Sequence, residues 1–322
     1  KIGLTALAGS LVATSLVAGE MAVTGSASMK VRHVDTNSAG KAYSMGNQLE
    51  FAGSGELDNG LDVKLSFVLD QNDDSTSAGA AKSVNTGTPF DSHSVSIGSD
   101  SLGTLVFHGE GGSSAESAMD TTAAGDLWDN GYGISTTNDP AASATSNNML
   151  FYTLPTLVDD LAITGSYTPR GAGAVDSSSA FGLAYSGVEG LTLNYAQGEN
   201  NSSAASTADA TTMKVTYAIG SVTLGYSDHE YDSQAAASDQ EVTSMNISYT
   251  LTEDISISYG QDEIARPEVA GDQDIKVNAM SGSYTTGGMT LGVMVGDVEN
   301  NAYGTGANED KEMWHLTASF AF

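Results

Sequence analysis

From Met21 onward, apolar and polar residues alternate along the chain with a period of two. In "MAVTGSASMKV", Met21, Val23, Ala27, Met29 and Val31 fall on one face, and Thr24, Ser26, Ser28 and Lys30 on the other. In "LDVKLSFVLD", Leu61, Val63, Leu65, Phe67 and Leu69 oppose Asp62, Lys64, Ser66 and Asp70. Successive side chains of a strand point to opposite faces, whereas helical apolar positions recur every three or four residues. The pattern predicts an all-β chain of sixteen strands, at 21–34, 45–57, 61–70, 92–99, 103–109, 147–154, 160–168, 178–186, 191–198, 211–219, 221–230, 241–250, 254–262, 274–285, 289–297 and 312–322. Most approach the roughly 9–11 residues that a tilted strand needs to cross a membrane. All five prolines fall between these segments, as they must if the strands are paired on both edges.

The segments come in repeated pairs. "FGLAYSGVEGLTLNYAQGE", "MKVTYAIGSVTLGYSDHE", "MNISYTLTEDISISYGQDE" and "MSGSYTTGGMTLGVMVGD" each read as strand, tight turn and returning strand. A tyrosine precedes each turn (Tyr185, Tyr217, Tyr249, Tyr284), and Tyr152 holds the same place in "LFYTLPTLVDDLAITGSYTP". Connections alternate between short and long. Short ones stand at 58–60, 188–190, 220–221 and 252–254; long ones are expected near 71–91, 110–146, 199–210, 231–240, 263–273 and 298–311. An even strand count with short turns at one end and long loops at the other is the pattern of an outer-membrane barrel.

Alternation alone does not say whether the apolar face meets a core or lipid. The tyrosines do, because Tyr and Trp gather at membrane–water interfaces in girdles. The last strand, "WHLTASFAF", carries Trp314, Leu316, Ala318, Phe320 and Phe322 on one face. It is expected to close the barrel against the first strand, with Trp314 toward the outer rim and Phe320 and Phe322 at the periplasmic girdle. Closure leaves no unpaired edge in lipid.

Composition narrows the partners. The chain of 322 residues has 40 acids against 11 Lys and Arg, a net charge of -29, which excludes binding to nucleic acid phosphates. It has no cysteine, hence no disulfide and no thiolate chemistry. The opening "KIGLTALAGSLVATSLVAGE" reads as the end of a secretory signal peptide, with cleavage expected after Ala18 and the barrel occupying 19–322. The alternative is that 1–18 stays on the chain. No signature of nucleophilic, nucleotide or zinc-hydrolase chemistry is present, so no enzyme is expected. The histidines are scattered through different segments.

These features together resemble the Gram-negative outer-membrane general porins, in an acidic style like that of the alphaproteobacterial members. The resemblance rests on the signal segment, "LEFAGSGELDNGLDVKLSFVLD", "SIGSDSLGTLVF" and the terminal "SFAF". It implies a 16-stranded antiparallel transmembrane β-barrel, a homotrimer in outer-membrane lipid, and passive diffusion of small hydrophilic solutes. It further implies that the third long loop, 110–146, folds into the pore. That loop carries Glu110, Glu116, Asp120, Asp126, Asp129 and Asp139 and no Lys or Arg. In such porins loop acids face basic wall residues, for which Lys30, Arg32 and Lys64 are the candidates. Glu50 is placed to pair with either group, and His108 stands near where the loop begins. An acidic loop in a low-dielectric wall concentrates cations, so mild cation selectivity is expected. Arg170, Lys214, Arg266 and Lys276 read as loop or rim charges. No metal ligand set is assigned. The candidates for Ca²⁺ are "DQNDD" (70–74) and the stretch at Asp129, and the first lacks the glycine and terminal acid of an EF-hand loop. The competing readings are a substrate-selective channel, a plugged barrel acting as a structural or adhesive surface protein, and a soluble secreted β protein.

Overall fold

The computed structural model describes residues 19–35, 41–70, 90–130, 140–144, 147–169, 175–203, 206–306 and 309–322. The signal-peptide expectation for 1–18 lies outside them, as do Asp139, Arg170 and residues 71–74. Sixteen strands form: β1 (Glu20–Val34), β2 (Lys41–Glu56), β3 (Asp62–Asp70), β4 (Ser92–Ser99), β5 (Gly103–Glu110), β6 (Met149–Thr153), β7 (Leu161–Thr168), β8 (Ser178–Val188), β9 (Leu191–Ser203), β10 (Ser206–Ile219), β11 (Val222–Ser233), β12 (Gln240–Thr250), β13 (Ile255–Ala265), β14 (Ile275–Thr286), β15 (Met289–Glu299) and β16 (Lys311–Ala321). Each pairs antiparallel with its neighbours in sequence, and β1 pairs with β16, so the sheet closes.

Closure runs to the last residue. The register sets Ser26 opposite Ala321 and Val34 opposite Met313. Beyond it, Gly25 N donates to Phe322 O at 2.7 Å and Phe322 N donates to Gly25 O at 3.0 Å. The Phe322 ring lies over Gly25, in space that a Cβ there would fill.

The apolar face turns outward. Met21, Met29, Leu65, Phe107, Leu193, Met213, Ile247, Ile257 and Leu316 are all exposed, as lipid-facing residues are in an isolated barrel. Tyr152, Tyr217, Tyr249 and Tyr284 are exposed near the short turns, and Tyr185 occupies the equivalent position on β8. Tyr185 pairs with Leu161 and Leu193, Tyr217 with Leu191 and Leu224, and Tyr284 with Ile255 and Leu291. Phe320, opposite Met289, and Phe322 belong to the same end, whereas Trp314 pairs with Val295 nearer the long loops.

A second aromatic set was not anticipated. Tyr43, Tyr167, Tyr195, Tyr226 and Tyr259 are also exposed on the outer face, toward the long-loop end. Beyond them outward positions become polar: Tyr195 is followed on its face by Gln197 and Glu199, Tyr226 by Asp228 and Glu230, Tyr259 by Gln261 and Glu263. These tyrosines mark where lipid gives way to water.

Above that level the faces exchange character. Val34, Val242, Ile264, Ile275, Val277, Met294, Val298 and Met313 point inward and form a buried apolar cluster with Leu127 and Tyr303. The wall also rises higher than the hydrophobic pattern suggested. A long loop was expected at 199–210, but β9 and β10 continue through most of it, leaving only residues 204–205 between them. Strand segments standing in water on their outer face carry no lipid-facing alternation, so the pattern misses them.

Candidate functional site: the lumenal wall and the third long loop

The connection from β5 to β6, residues 111–148, is the expected third long loop. Its described parts run along the inner face of β7 to β13. Inward-facing hydroxyls receive its backbone: Ala115 N donates to Ser166 Oγ (2.9 Å), Ala123 N to Ser227 Oγ (2.8 Å) and Ala124 N to Ser244 Oγ (2.9 Å). Ala141 N donates to Gln240 Oε1 (2.6 Å), and Leu127 N to the buried Asp262 Oδ2 (2.7 Å). Small residues let the loop come close. A Cβ at Gly182, Gly198, Gly225 or Gly260 would meet Ala115, Ser143, Ala123 or Ala124 respectively. At the tip, a 3-10 turn, Leu127–Asn130, puts Leu127 into the apolar cluster with Trp128 packed beside it. Thr122 and Asp126 close that tip by a reciprocal pair of hydrogen bonds, each 2.9 Å.

Glu116 was expected to present its charge to the channel. Instead it is 0 % exposed and serves as an anchor. It accepts hydrogen bonds from Thr212 Oγ1 (2.7 Å) and Ser143 N (3.1 Å), with His229 Nδ1 at 3.4 Å. His229 Nδ1 also stands 2.7 Å from Thr212 Oγ1, and its Nε2 is 2.8 Å from Ala141 O. A carbonyl only accepts, so Nε2 carries a proton. Thr212 has one hydrogen and gives it to Glu116, so Nδ1 donates to the threonine. The network is complete only with His229 as imidazolium beside a carboxylate. Burial opposes ionisation of Glu116, but the adjacent His229 imidazolium and the hydrogen bonds from Ser143 and Thr212 outweigh it and hold its carboxyl down at about 2.

The other loop acids differ. Asp120 is half-buried; burial, and then the Glu116 charge, push its carboxyl up to about 6. Asp126 is half-buried at the tip turn and Asp129 is exposed. Glu110 is not brought together with them: it lies 3.8 Å from His93, whose ring stacks on Phe67. His108 faces inward opposite Met149 and packs near Gly112.

The basic candidates Lys30, Arg32 and Lys64 all lie on inward positions of β1 and β3, opposite Thr317, His315 and Ser96 respectively. Glu50 pairs with Lys64 (3.5 Å) and accepts a hydrogen bond from Ser66 (2.7 Å). In a ring of sixteen strands, β2 and β10 are diametrically opposed, so this wall faces the one that carries the loop. Lys214, read as a rim charge, is in fact lumenal: its Nζ donates to Thr121 O at 2.7 Å. Lys276 does sit at the outer rim, 3.5 Å from Glu263. Arg266 is a loop residue, bonded to Asp272 (2.7 Å) and stacked 3.9 Å over the Tyr303 ring. Among the described residues, no three or more His, Asp or Glu side chains converge as metal ligands.

A closed antiparallel barrel with an apolar outer band between two aromatic sets, and a polar lumenal face, defines the class of transmembrane β-barrel pores. A family model described as Gram-negative porin matches residues 3–302, and the chain belongs to that family. Solved structures agree in fold. A mutant of the Rh. blastica porin aligns with TM-score 0.68 at 15% identity, covering 94% of this chain and 100% of that one. The anion-selective porin from Comamonas acidovorans aligns with TM-score 0.66 at 13% identity, with the same coverage. A loop-deletion mutant of an outer membrane protein of Vibrio cholerae gives 0.66 at 11%, covering 95% and 100%. No curated protein matches the sequence. The protein is therefore a channel of the Gram-negative outer membrane, not an enzyme.

Proposed function

We propose that this porin is a general-diffusion pore for small hydrophilic solutes and ions, mildly cation-selective, with its third loop as the constriction. The observation that carries the reading is the docking of residues 115–127 on the inner wall from β7 to β13. The free passage then lies between that loop and the wall of β1 to β5. Asp120, Asp126 and Asp129 would border it on one side, and Lys30, Arg32 and Lys64 on the other. Glu50 offsets Lys64. The described loop contributes acids and no Lys or Arg to this lining, and an acidic loop in a low-dielectric wall raises the local cation concentration. The fold itself does not dictate the sign, since one structural neighbour is named as anion-selective. We further propose that residues 1–18, with one lysine, an uncharged apolar run and then small residues, are a leader removed before insertion, and that three copies assemble in the membrane, as the family resemblance implies.

The experiment is a reversal-potential measurement in a KCl gradient across a planar bilayer. A potential that favours potassium supports the reading; chloride preference overturns the selectivity. Saturation of conductance by one solute would favour a substrate-selective channel instead.

A further inference from the structure

Selectivity in a pore depends on charges that remain uncompensated where ions pass. Glu116 is taken up by His229 and Thr212 and is buried, so it contributes little to the lining. Asp120, Asp126 and Asp129 are the other described acids of the loop between β5 and β6. On the strands that carry the loop, β7 to β13, Lys214 is the only Lys or Arg. Its neighbours Met213 and Val215 belong to the outward face, and its register partners are Asn194 and Ser227. The ammonium reaches Thr121 O at 2.7 Å. Asp120 and Asp126, on either side of that carbonyl in sequence, are the charges that act on it.

We propose that Lys214 is a selectivity-determining residue, a lumenal counter-charge that offsets the Asp120–Asp126 pair and moderates the cation preference of the constriction. The inference rests on the pore reading above. It concerns a change relative to the wild type and does not depend on the sign of the wild-type preference. Coulomb terms and shape separate by salt: charges act over about 10 Å at 0.1 M and about 3 Å at 1 M. A charge effect therefore shows in dilute KCl and fades in concentrated KCl. A displaced loop would change conductance in both.

The test uses the full-length porin in planar bilayers, comparing wild type, Lys214→Gln, Lys214→Arg and the double variant Lys214→Gln/Asp120→Asn. Glutamine removes the charge but still donates a hydrogen bond to Thr121 O. The expected result is that Lys214→Gln raises the potassium-to-chloride permeability ratio by about twofold or more in dilute KCl. Lys214→Arg should keep the wild-type ratio, the double variant should return toward it, and conductance at 1 M KCl should be equal across the set. An unchanged ratio in Lys214→Gln overturns the assignment. So does an equal shift in Lys214→Arg, or a changed conductance at 1 M, since either means that packing matters and charge does not. A wild type that fails to conduct overturns the pore reading itself, which the variants do not touch.

Discussion

Replacing Glu116 by alanine should release the third loop from the wall. The carboxylate is 0 % exposed, accepts from Thr212 Oγ1 at 2.7 Å and Ser143 N at 3.1 Å, and stands 3.4 Å from His229. Removing it leaves an imidazolium buried without its counter-charge. Breaking a buried pair in this way costs about 3–5 kcal/mol. The cost falls on docking of the loop, because the strand ladder does not pass through Glu116. At about 1.4 kcal/mol per tenfold, the ratio of undocked to docked loop rises by roughly a hundred- to a few thousandfold. Two assays read this: open-channel noise in single-channel recordings, and the rate of proteolytic cutting within 110–146. Both should increase strongly in Glu116→Ala. Glu116→Gln should fall between, since its amide oxygen can still accept from Thr212 while its charge is gone. The sign with pH is set by a folded carboxyl held down at about 2, below its ordinary range. The contribution of the Glu116 carboxylate is fully present above its unfolded value, while His229 stays protonated, and is lost as pH falls through about 2. If Glu116→Ala shows wild-type noise and wild-type protease resistance, the anchoring argument is wrong.

Further predictions follow from the same geometry. Asp120 titrates near 6, with Glu116, Asp126, His229 and Lys214 around it. It is ionised above that value, so cation preference should weaken between pH 7 and pH 5, and Asp120→Asn should flatten that profile in reversal-potential measurements. Deleting Phe322 removes two backbone hydrogen bonds to Gly25 and should lower the yield of folded barrel, scored by the mobility shift of unheated protein on a denaturing gel; a normal yield would contradict the closure role. At Gly260 a Cβ would meet Ala124 Cβ at 2.7 Å, so Gly260→Leu should displace the loop and change conductance even at 1 M KCl, while thermal stability of the barrel stays near that of the wild type.

The strands were legible because each carries a lipid-facing apolar face, which imposes the period of two. Tyr152, Tyr217 and Tyr284 were legible because they sit just before tight turns. The second aromatic set was equally present, as the tyrosine of "LNYAQGE", "LGYSDHE" and "ISYGQDE", where an apolar face ends in a ring and becomes acidic. The upper walls of β9 and β10 were not legible, since water on their outer side removes the alternation. The loop's docking was hidden for another reason. It depends on Ser166, Ser227, Ser244, Gly225 and Gly260, residues from distant strands that only the closed register brings to one face. Glu116 and Lys214 were misjudged for the same reason: charge type can be read along a chain, but whether a charge is buried, paired or lumenal depends on what lies opposite.

The central claim is that the barrel holds an aqueous passage beside the docked loop. Planar-bilayer recording of the purified wild-type protein tests it most directly. The account predicts discrete, stable conductance steps that scale with bulk KCl conductivity. Insertion without any conductance would mean that the loop closes the barrel, and would contradict it.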